Sequence, residues 1–362
     1  MSGRSSPTGS TVPPHTPTAG VVAKTPTISD VALLAGVAKS TVSAVLNHKD
    51  SIKDSTRRNV LRAIDDLHYR PSRSAQRGFR HVPQRSLSFI IKEAENTYYA
   101  EVLTGIQEVA AEHGYLVFVS SSEGKYELEH RIVEQCMERE IDGVILAPIR
   151  HDDTDLSHIF ELKRQSIPFV LLDRVHGVPA SFVDVDNVKG SADAVRYLIE
   201  QGHSQIIHFA GPDYSEHTRA RAEGVRRAFS HSHLKFDDSM IIPSGDSHEQ
   251  GYRSALQYFS GTKKTRPTAV TCYNDLVALG VIKALRELRI SVPDDVSVIG
   301  FDDLRLLELF PQQLTTVRVP KYEMGRRSAE MLIRDIESQT KSSPEKVRLE
   351  TTLMIRETTR RL

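Results

Sequence analysis

Thr27-Ile-Ser-Asp-Val-Ala-Leu-Leu-Ala-Gly-Val-Ala-Lys-Ser-Thr-Val-Ser-Ala-Val-Leu-Asn47 is the stretch that decides how this 362-residue chain is organised. Thr27-x-x-Asp30 has the spacing of a capping box, in which the first side chain and the fourth exchange hydrogen bonds with a helix start. Val31, Ala32, Leu34 and Ala35 follow as an apolar stripe, and Gly36 breaks the helix. The spacing of Val42, Val45 and Leu46 predicts a second short helix over about Lys39–Asn47. A third runs from about Asp54 to Leu67, with Val60, Leu61, Ile64 and Leu67 at three- and four-residue intervals, and Pro71 stops it. Two short helices joined by a tight glycine-containing turn form a helix-turn-helix, whose second helix is shaped to enter a DNA major groove.

Charge supports that reading. The whole chain is neutral, with 47 Lys and Arg against 47 Asp and Glu. The first 80 residues hold 12 basic and 5 acidic side chains, a net +7, and the other 282 hold 35 and 42, a net −7. A basic head on an acidic globular body points to a polyanion partner. Residues 1–25, rich in Ser, Thr, Pro and Gly, bury too little apolar surface to order themselves and have no signal-peptide core. No apolar run reaches the roughly 18–20 residues of a membrane span, so the chain is expected in the cytosol. Cys136 and Cys272 are far apart in apolar segments and are expected to be inert core thiols.

Beyond a basic connector at Arg70–Arg85 the texture changes. Apolar runs at Leu87–Ile91, Leu116–Ser120, Gly143–Ala147, Phe169–Leu172, Ile206–Ala210, Ala269–Cys272 and Val296–Gly300 read as strands. Amphipathic stretches at Ala100–His113, Leu128–Arg139, Asn187–Gln201, Arg219–Phe229, Tyr252–Phe259 and Leu276–Leu288 read as the helices between them. Continuous apolar strands alternating with helices imply parallel sheets covered on both faces. About 260 residues is large for one sheet, so two similar lobes are expected, with ligands beyond the carboxyl ends of the strands.

The opening stretch, continued by Thr56-Arg57 and His68-Tyr69-Arg70-Pro71, resembles the DNA-binding headpiece of the lactose/galactose repressor (LacI/GalR) family. Downstream the resemblance is carried in order by Ile141-Asp142-Gly143-Val144-Ile145-Leu146-Ala147-Pro148, Asp186-Asn187, Gly202-His203, Ala210-Gly211-Pro212, Asn274-Asp275, Gly300-Phe301-Asp302-Asp303, Leu314-Thr315-Thr316-Val317 and Met324-Gly325. It spans residue 26 to about 356. It implies a small all-α helix-turn-helix headpiece on a two-lobed α/β core like that of periplasmic binding proteins. The expected divisions are a tail at 1–25, the headpiece at 26–71, a hinge at 72–86 and an effector-binding and dimerisation core at 87–362. Within that core one lobe takes about 87–186 and 318–345, the other about 187–317 and 346–362. The implied function is a sequence-specific transcription regulator, in the main a repressor, controlled by a small effector. Its implied partners are double-stranded operator DNA and a second copy of the chain, with no cofactor and no metal. With no heptad segment after Arg356, a dimer rather than a tetramer is expected.

By the same resemblance Lys39, Ser40 and Ala44 face bases, while Thr27, Thr41, Ser43, Asn47 and Thr56 touch the phosphate backbone. Lys39 either donates to guanine O6/N7 or rests on phosphate. Two departures stand out. Ala44 replaces the Arg of many relatives, which favours a different operator, since Ala packs against a thymine methyl. The hinge-like Ser72-Arg73-Ser74-Ala75-Gln76-Arg77-Gly78 has Gly where the family's apolar minor-groove wedge is usually Leu. Either Phe79 takes over the wedging, with Arg73 on the backbone, or the hinge bends DNA less.

For the effector, the resemblance implicates Tyr98 and Tyr99 as cleft walls, Arg221 as the grip and Asp275 beside Asn274 as the acceptor for hydroxyls. Asp173-Arg174, after the strand Phe169–Leu172, lies at the same end of the sheet, and Arg174 and His217 are each either solvated or ligating. Each has an ordinary alternative: packing for the tyrosines, a surface ion pair for Arg221, helix capping for Asp275. A neutral sugar or sugar derivative fits the combination of an acid and an Arg. Many relatives place an aromatic one residue after the Asp of Gly245-Asp246-Ser247-His248, and the segment here is one residue short, so any stacking floor comes from elsewhere. The rival classes are an α/β enzyme, for which GxGxxG, GxxxxGK[ST], GxSxG and HExxH are all lacking, and a periplasmic-type solute receptor, which has no use for a +7 head.

Overall fold

The computed structural model describes residues 26–46, 52–67, 84–149, 155–261, 266–338 and 343–362. The tail, most of the hinge, and the proposed DNA contacts Asn47, Arg73 and Phe79 lie outside the described residues. The chain divides into two units, Met1–Val82 and Pro83–Leu362.

In the first unit, α1 (Ile28–Ala35), α2 (Lys39–Leu46) and α3 (Asp54–Asp66) enclose a small core of Val31, Ala32, Val42, Val45, Val60 and Ala63. The Asp30 carboxylate accepts from the Thr27 backbone N–H and from its hydroxyl, both at 2.7 Å, so the box expected from the sequence is present. Gly36 ends α1 in the left-handed region at φ 67°, and the Val37 N–H returns to the Ala32 carbonyl at 3.0 Å. This turn lets α2 leave at 103° to α1, within the range of a helix-turn-helix.

The second unit holds two six-stranded sheets. The first contains β1 (Ser86–Ile91), β2 (Leu116–Ser121), β3 (Gly143–Leu146), β4 (Phe169–Leu171), β5 (Ser181–Val185) and β11 (Lys346–Leu349), ordered β11-β5-β4-β3-β1-β2 and parallel throughout. The second contains β6 (Ile206–Ala210), β7 (Ile241–Pro243), β8 (Ala269–Cys272), β9 (Ser297–Asp302), β10 (Thr315–Arg318) and β12 (Thr352–Met354), ordered β12-β10-β9-β8-β6-β7. Only β12 runs antiparallel to its neighbour. Strands β1, β3, β5, β6, β8 and β9 are buried along their whole length, as sheets covered on both faces require.

The covering helices are α4 (Tyr98–Glu112), α5 (Tyr126–Glu138), α6 (Ser157–Arg164) and α11 (Lys321–Glu337) for the first lobe. For the second they are α7 (Asn187–Glu200), α8 (Glu216–Ser230), α9 (His248–Phe259) and α10 (Asp275–Glu287). Helices α4 and α11 cross through Gly105 and Gly325: a Cβ at Gly105 would fall on the Tyr322 carbonyl oxygen, and one at Gly325 on that of Val102. The chain passes between the lobes three times, after β5, after β10 and between β11 and β12. One expectation is corrected here. Lys346–Leu349 joins the first sheet by pairing with Phe182–Val185, so residues 346–362 do not all belong to the second lobe. Cys136 and Cys272 are free and buried.

Candidate functional site

On the headpiece, Lys39 and Ser40 open α2 and are exposed, while Thr41, Ser43 and Ala44 are partly so; Val42 and Val45 on the opposite face anchor the helix. Thr27 is exposed at the start of α1, and Thr56 stands in the first turn of α3. The helix thus offers short polar side chains and one cation over an apolar underside, which suits insertion into a groove.

In the core, the carboxyl ends of both sheets face a shared cleft. Lys92, Glu93, Asn96, Tyr98 and Tyr99 line it from the first lobe, opposite Tyr214, His217, Arg221, Asp246, Tyr273 and Asn274. An adjoining recess adds Asp173, Arg174 and Asp184, with His217 bordering both. Of the effector residues expected from the sequence, seven are therefore brought together.

Arg221 is the organising side chain. It projects from α8 with Nε donating to Asn187 Oδ1 at 2.9 Å, Nη1 to the Tyr273 carbonyl, and Nη2 to Asp302 Oδ1 at 3.3 Å. Its guanidinium carbon stands 3.7 Å from the centre of the Phe301 ring and 4.8 Å from that of Tyr273. Asn187 is in place because Asp186 caps α7, accepting from the Lys189 N–H at 2.9 Å. Asn274 caps α10 through its Oδ1, which accepts from the Val277 N–H at 2.8 Å, and spends its Nδ2 on the Asp246 carbonyl at 2.8 Å.

Asp275 is a correction. It is 0% exposed, and both its oxygens are taken: Oδ2 by the Leu304 N–H at 2.8 Å and Oδ1 by the Thr316 hydroxyl at 2.6 Å. The carboxylate that stands in the cleft beside Arg221 is Asp302, whose backbone is held at φ 112°, a conformation that persists only where the surroundings enforce it. Burial, and after it the charge of Asp302, pushes Asp275 up to about 8, which favours its protonated form. Asp275→Asn should accordingly be well tolerated. Asp275→Ala should cost about 2–4 kcal/mol by orphaning two buried donors, read from urea unfolding. An Ala variant as stable as wild type would contradict this scaffold role.

Glu93 and Asp246 approach the Tyr214 hydroxyl from opposite lobes, at 3.1 and 2.7 Å. One hydroxyl has one proton to give, and burial together with Asp246 pushes Glu93 up to about 7. Tyr98 packs edge-on to Tyr99 with ring centres 5.3 Å apart, and its hydroxyl points to Met324 Sδ at 3.2 Å. Tyr214 and Tyr273 supply the aromatic surface that the Asp246-Ser247 segment lacks. Lys92, Glu93, Tyr214, Asp246, Tyr273 and Asp302 were not singled out from the sequence as effector residues. The signal was available for most of them, since each lies just past a strand end or, for Asp302, at it.

Comparison with known proteins agrees with this architecture. Residues 27–72 match the family described as bacterial regulatory proteins, lacI family, and residues 195–359 match the periplasmic binding protein-like domain. The HTH-type transcriptional repressor PurR of Vibrio atlanticus is 33% identical over 316 residues, covering 86% of this chain and 92% of that one. The solved transcriptional regulator CelR–cellobiose complex superposes with a TM-score of 0.68 at 30% identity, over 92% of this chain and 99% of that one. A LacI family regulator from Enterococcus faecium with bound ribose gives 0.67 at 25%, over 76% and 99%. The lac repressor dimer bound to operator and the anti-inducer ONPF gives 0.68 at 25%, over 93% and 100%.

A helix-turn-helix and a two-lobed sensor core in one chain define a ligand-responsive DNA-binding regulator. The chain belongs to the lacI family of bacterial regulatory proteins: it is a DNA-binding transcriptional repressor, not an enzyme.

Proposed function

We propose that the repressor's effector is a sugar or sugar derivative held in the cleft by Arg221, Asn274, Asp173, His217 and, in place of Asp275, Asp302. The observation that carries this is the Arg221–Asp302 pair between the Phe301 and Tyr273 rings, at 3.7 and 4.8 Å. Carboxylates that accept, a guanidinium and an amide that donate, and tyrosine walls at Tyr98 and Tyr273 suit a ring carrying hydroxyl groups on an apolar face. Solved relatives that hold cellobiose and ribose support the same class. On the DNA side the proposed contacts are Thr27, Lys39, Ser40, Thr41, Ser43, Ala44 and Thr56, with Asn47, Arg73 and Phe79 from the flanking segments. The chain acts as a homodimer in the cytoplasm, and effector binding shifts operator affinity through a coupling of about 1–3 kcal/mol.

A thermal-shift screen of mono- and disaccharides on the full chain tests the effector class. A ligand at a hundredfold its Kd adds about 2.7 kcal/mol to stability. A screen in which no sugar, phosphorylated sugar or amino sugar raises the melting temperature overturns the proposal.

A further inference from the structure

Asp173 lies just past β4, Asp184 within β5, and His217 in the first turn of α8 on the other lobe. One oxygen of each carboxylate and one ring nitrogen of His217 lie within 4.8 Å of one another. His217 Nε2 and Asp173 Oδ2 are 3.4 Å apart, close to the separation of two atoms ligating one ion. The acids are buried, with 3% and 8% of their surfaces exposed.

One oxygen of each acid accepts a backbone N–H at 2.7 Å, from Arg174 for Asp173 and from Val185 for Asp184. Among the described residues the second oxygens meet only longer contacts, to His217 at 3.4 Å and to Arg348 Nη2 at 4.0 Å. Two buried carboxylates thus face one recess with their second oxygens held only by these longer ion pairs, and Asp186 and Glu216 add further acidic character to its wall. Arg174 and Arg348 are the arginines of that wall.

We propose that Asp173, Asp184 and His217 form a divalent transition-metal site that ties the first lobe to the second. Two carboxylate oxygens and an imidazole nitrogen suit Mn²⁺ or Zn²⁺, whereas Ca²⁺ and Mg²⁺ prefer oxygen alone. Because the ligands come from both lobes, the ion favours the arrangement in which these lobes meet. Asp173 and His217 also face the effector in the reading above, so with the ion in place they meet it through the metal; the ion is titrated without effector, so failure of the sugar class leaves this site standing.

The test uses the full chain after treatment with EDTA. Titration with Zn²⁺ by calorimetry, and with Mn²⁺ by electron paramagnetic resonance, should show one saturable site per chain, with the melting temperature rising as the site fills. Asp184→Asn removes a ligand and a buried charge together, so the variant should fold while its affinity falls at least tenfold. His217→Gln should do the same and serves if Asp184→Asn fails to fold. Unchanged affinity in both folded variants, or no saturable binding at millimolar Zn²⁺ and Mn²⁺, overturns the site.

Discussion

Arg221→Ala should remove the effector response altogether and lower the melting temperature of the core, while operator binding by the folded protein stays within about threefold of wild type. The three consequences have one origin. Arg221 spends its donors on Asn187, the Tyr273 carbonyl and Asp302, and its flat face on the Phe301 ring. Truncating it strands the Asp302 carboxylate, which is 4% exposed, and removing one partner of such a buried pair costs about 3–5 kcal/mol. For a unit of this size that corresponds to a fall of about 6–20 °C. Lys321 softens the loss, since its ammonium, held on the Asp302 carbonyl, also favours the charged form of the carboxylate. The headpiece has its own core in Val31, Val42, Val45 and Val60, so DNA binding should survive. Arg221→Lys should recover part of the stability, because a charge returns, but not the effector response, because one ammonium cannot replace a planar fork that reaches three partners. Differential scanning fluorimetry with and without effector, together with operator titration, separates these outcomes. A folded variant that cannot bind operator would place Arg221 in the path that positions the headpieces.

The contrast between Asp275 and Asp302 marks where the sequence stops being legible. Predominantly apolar runs such as Leu87–Ile91 and Ile206–Ala210, broken only by Ser88 and His208, announce buried parallel strands by themselves, and the amphipathic period of α4, α7 and α10 announces the covering helices. The capping box at Thr27 and the break at Gly36 were equally plain. Lys346–Leu349 was not, because it alternates charged and apolar residues as an edge strand does, and only pairing with Phe182–Val185 gives it a sheet. The same holds for β12, held by three residue pairs against β10. Asp275 follows the capping Asn274, so from spacing alone either residue faces the cleft. The fold turns Asp275 toward the Leu304 N–H and Thr316, at right distance for two hydrogen bonds, and leaves the strained Asp302 at the end of β9 to meet Arg221. Which way a side chain at a strand end points depends on contacts far away in sequence, and no local pattern encodes it.

Operator affinity should fall by about 10³–10⁵ between 50 and 200 mM salt, the response expected of six to ten phosphate contacts per dimer, with log K against log salt sloping about −5 to −9. The neutral total of the chain hides the reason. Its 12 basic side chains against 5 acidic ones in the first 80 residues make the head a polycation, while the rest carries a net −7 and gains nothing from phosphate. Binding at that end releases condensed counterions, and salt opposes the release. The slope also resolves the role of Lys39, the exposed cation that opens α2 above the buried Val42. If it donates to guanine, Lys39→Ala should cost about 1–3 kcal/mol on the cognate operator and spare binding to random DNA. If it rests on phosphate, the variant should lose affinity for both DNAs about equally and the slope should become shallower by about 2, one contact from each subunit. Filter binding or fluorescence anisotropy at four salt concentrations, on operator and scrambled duplexes, decides between them. A flat salt response of the wild-type protein would remove the electrostatic basis of the headpiece's DNA binding.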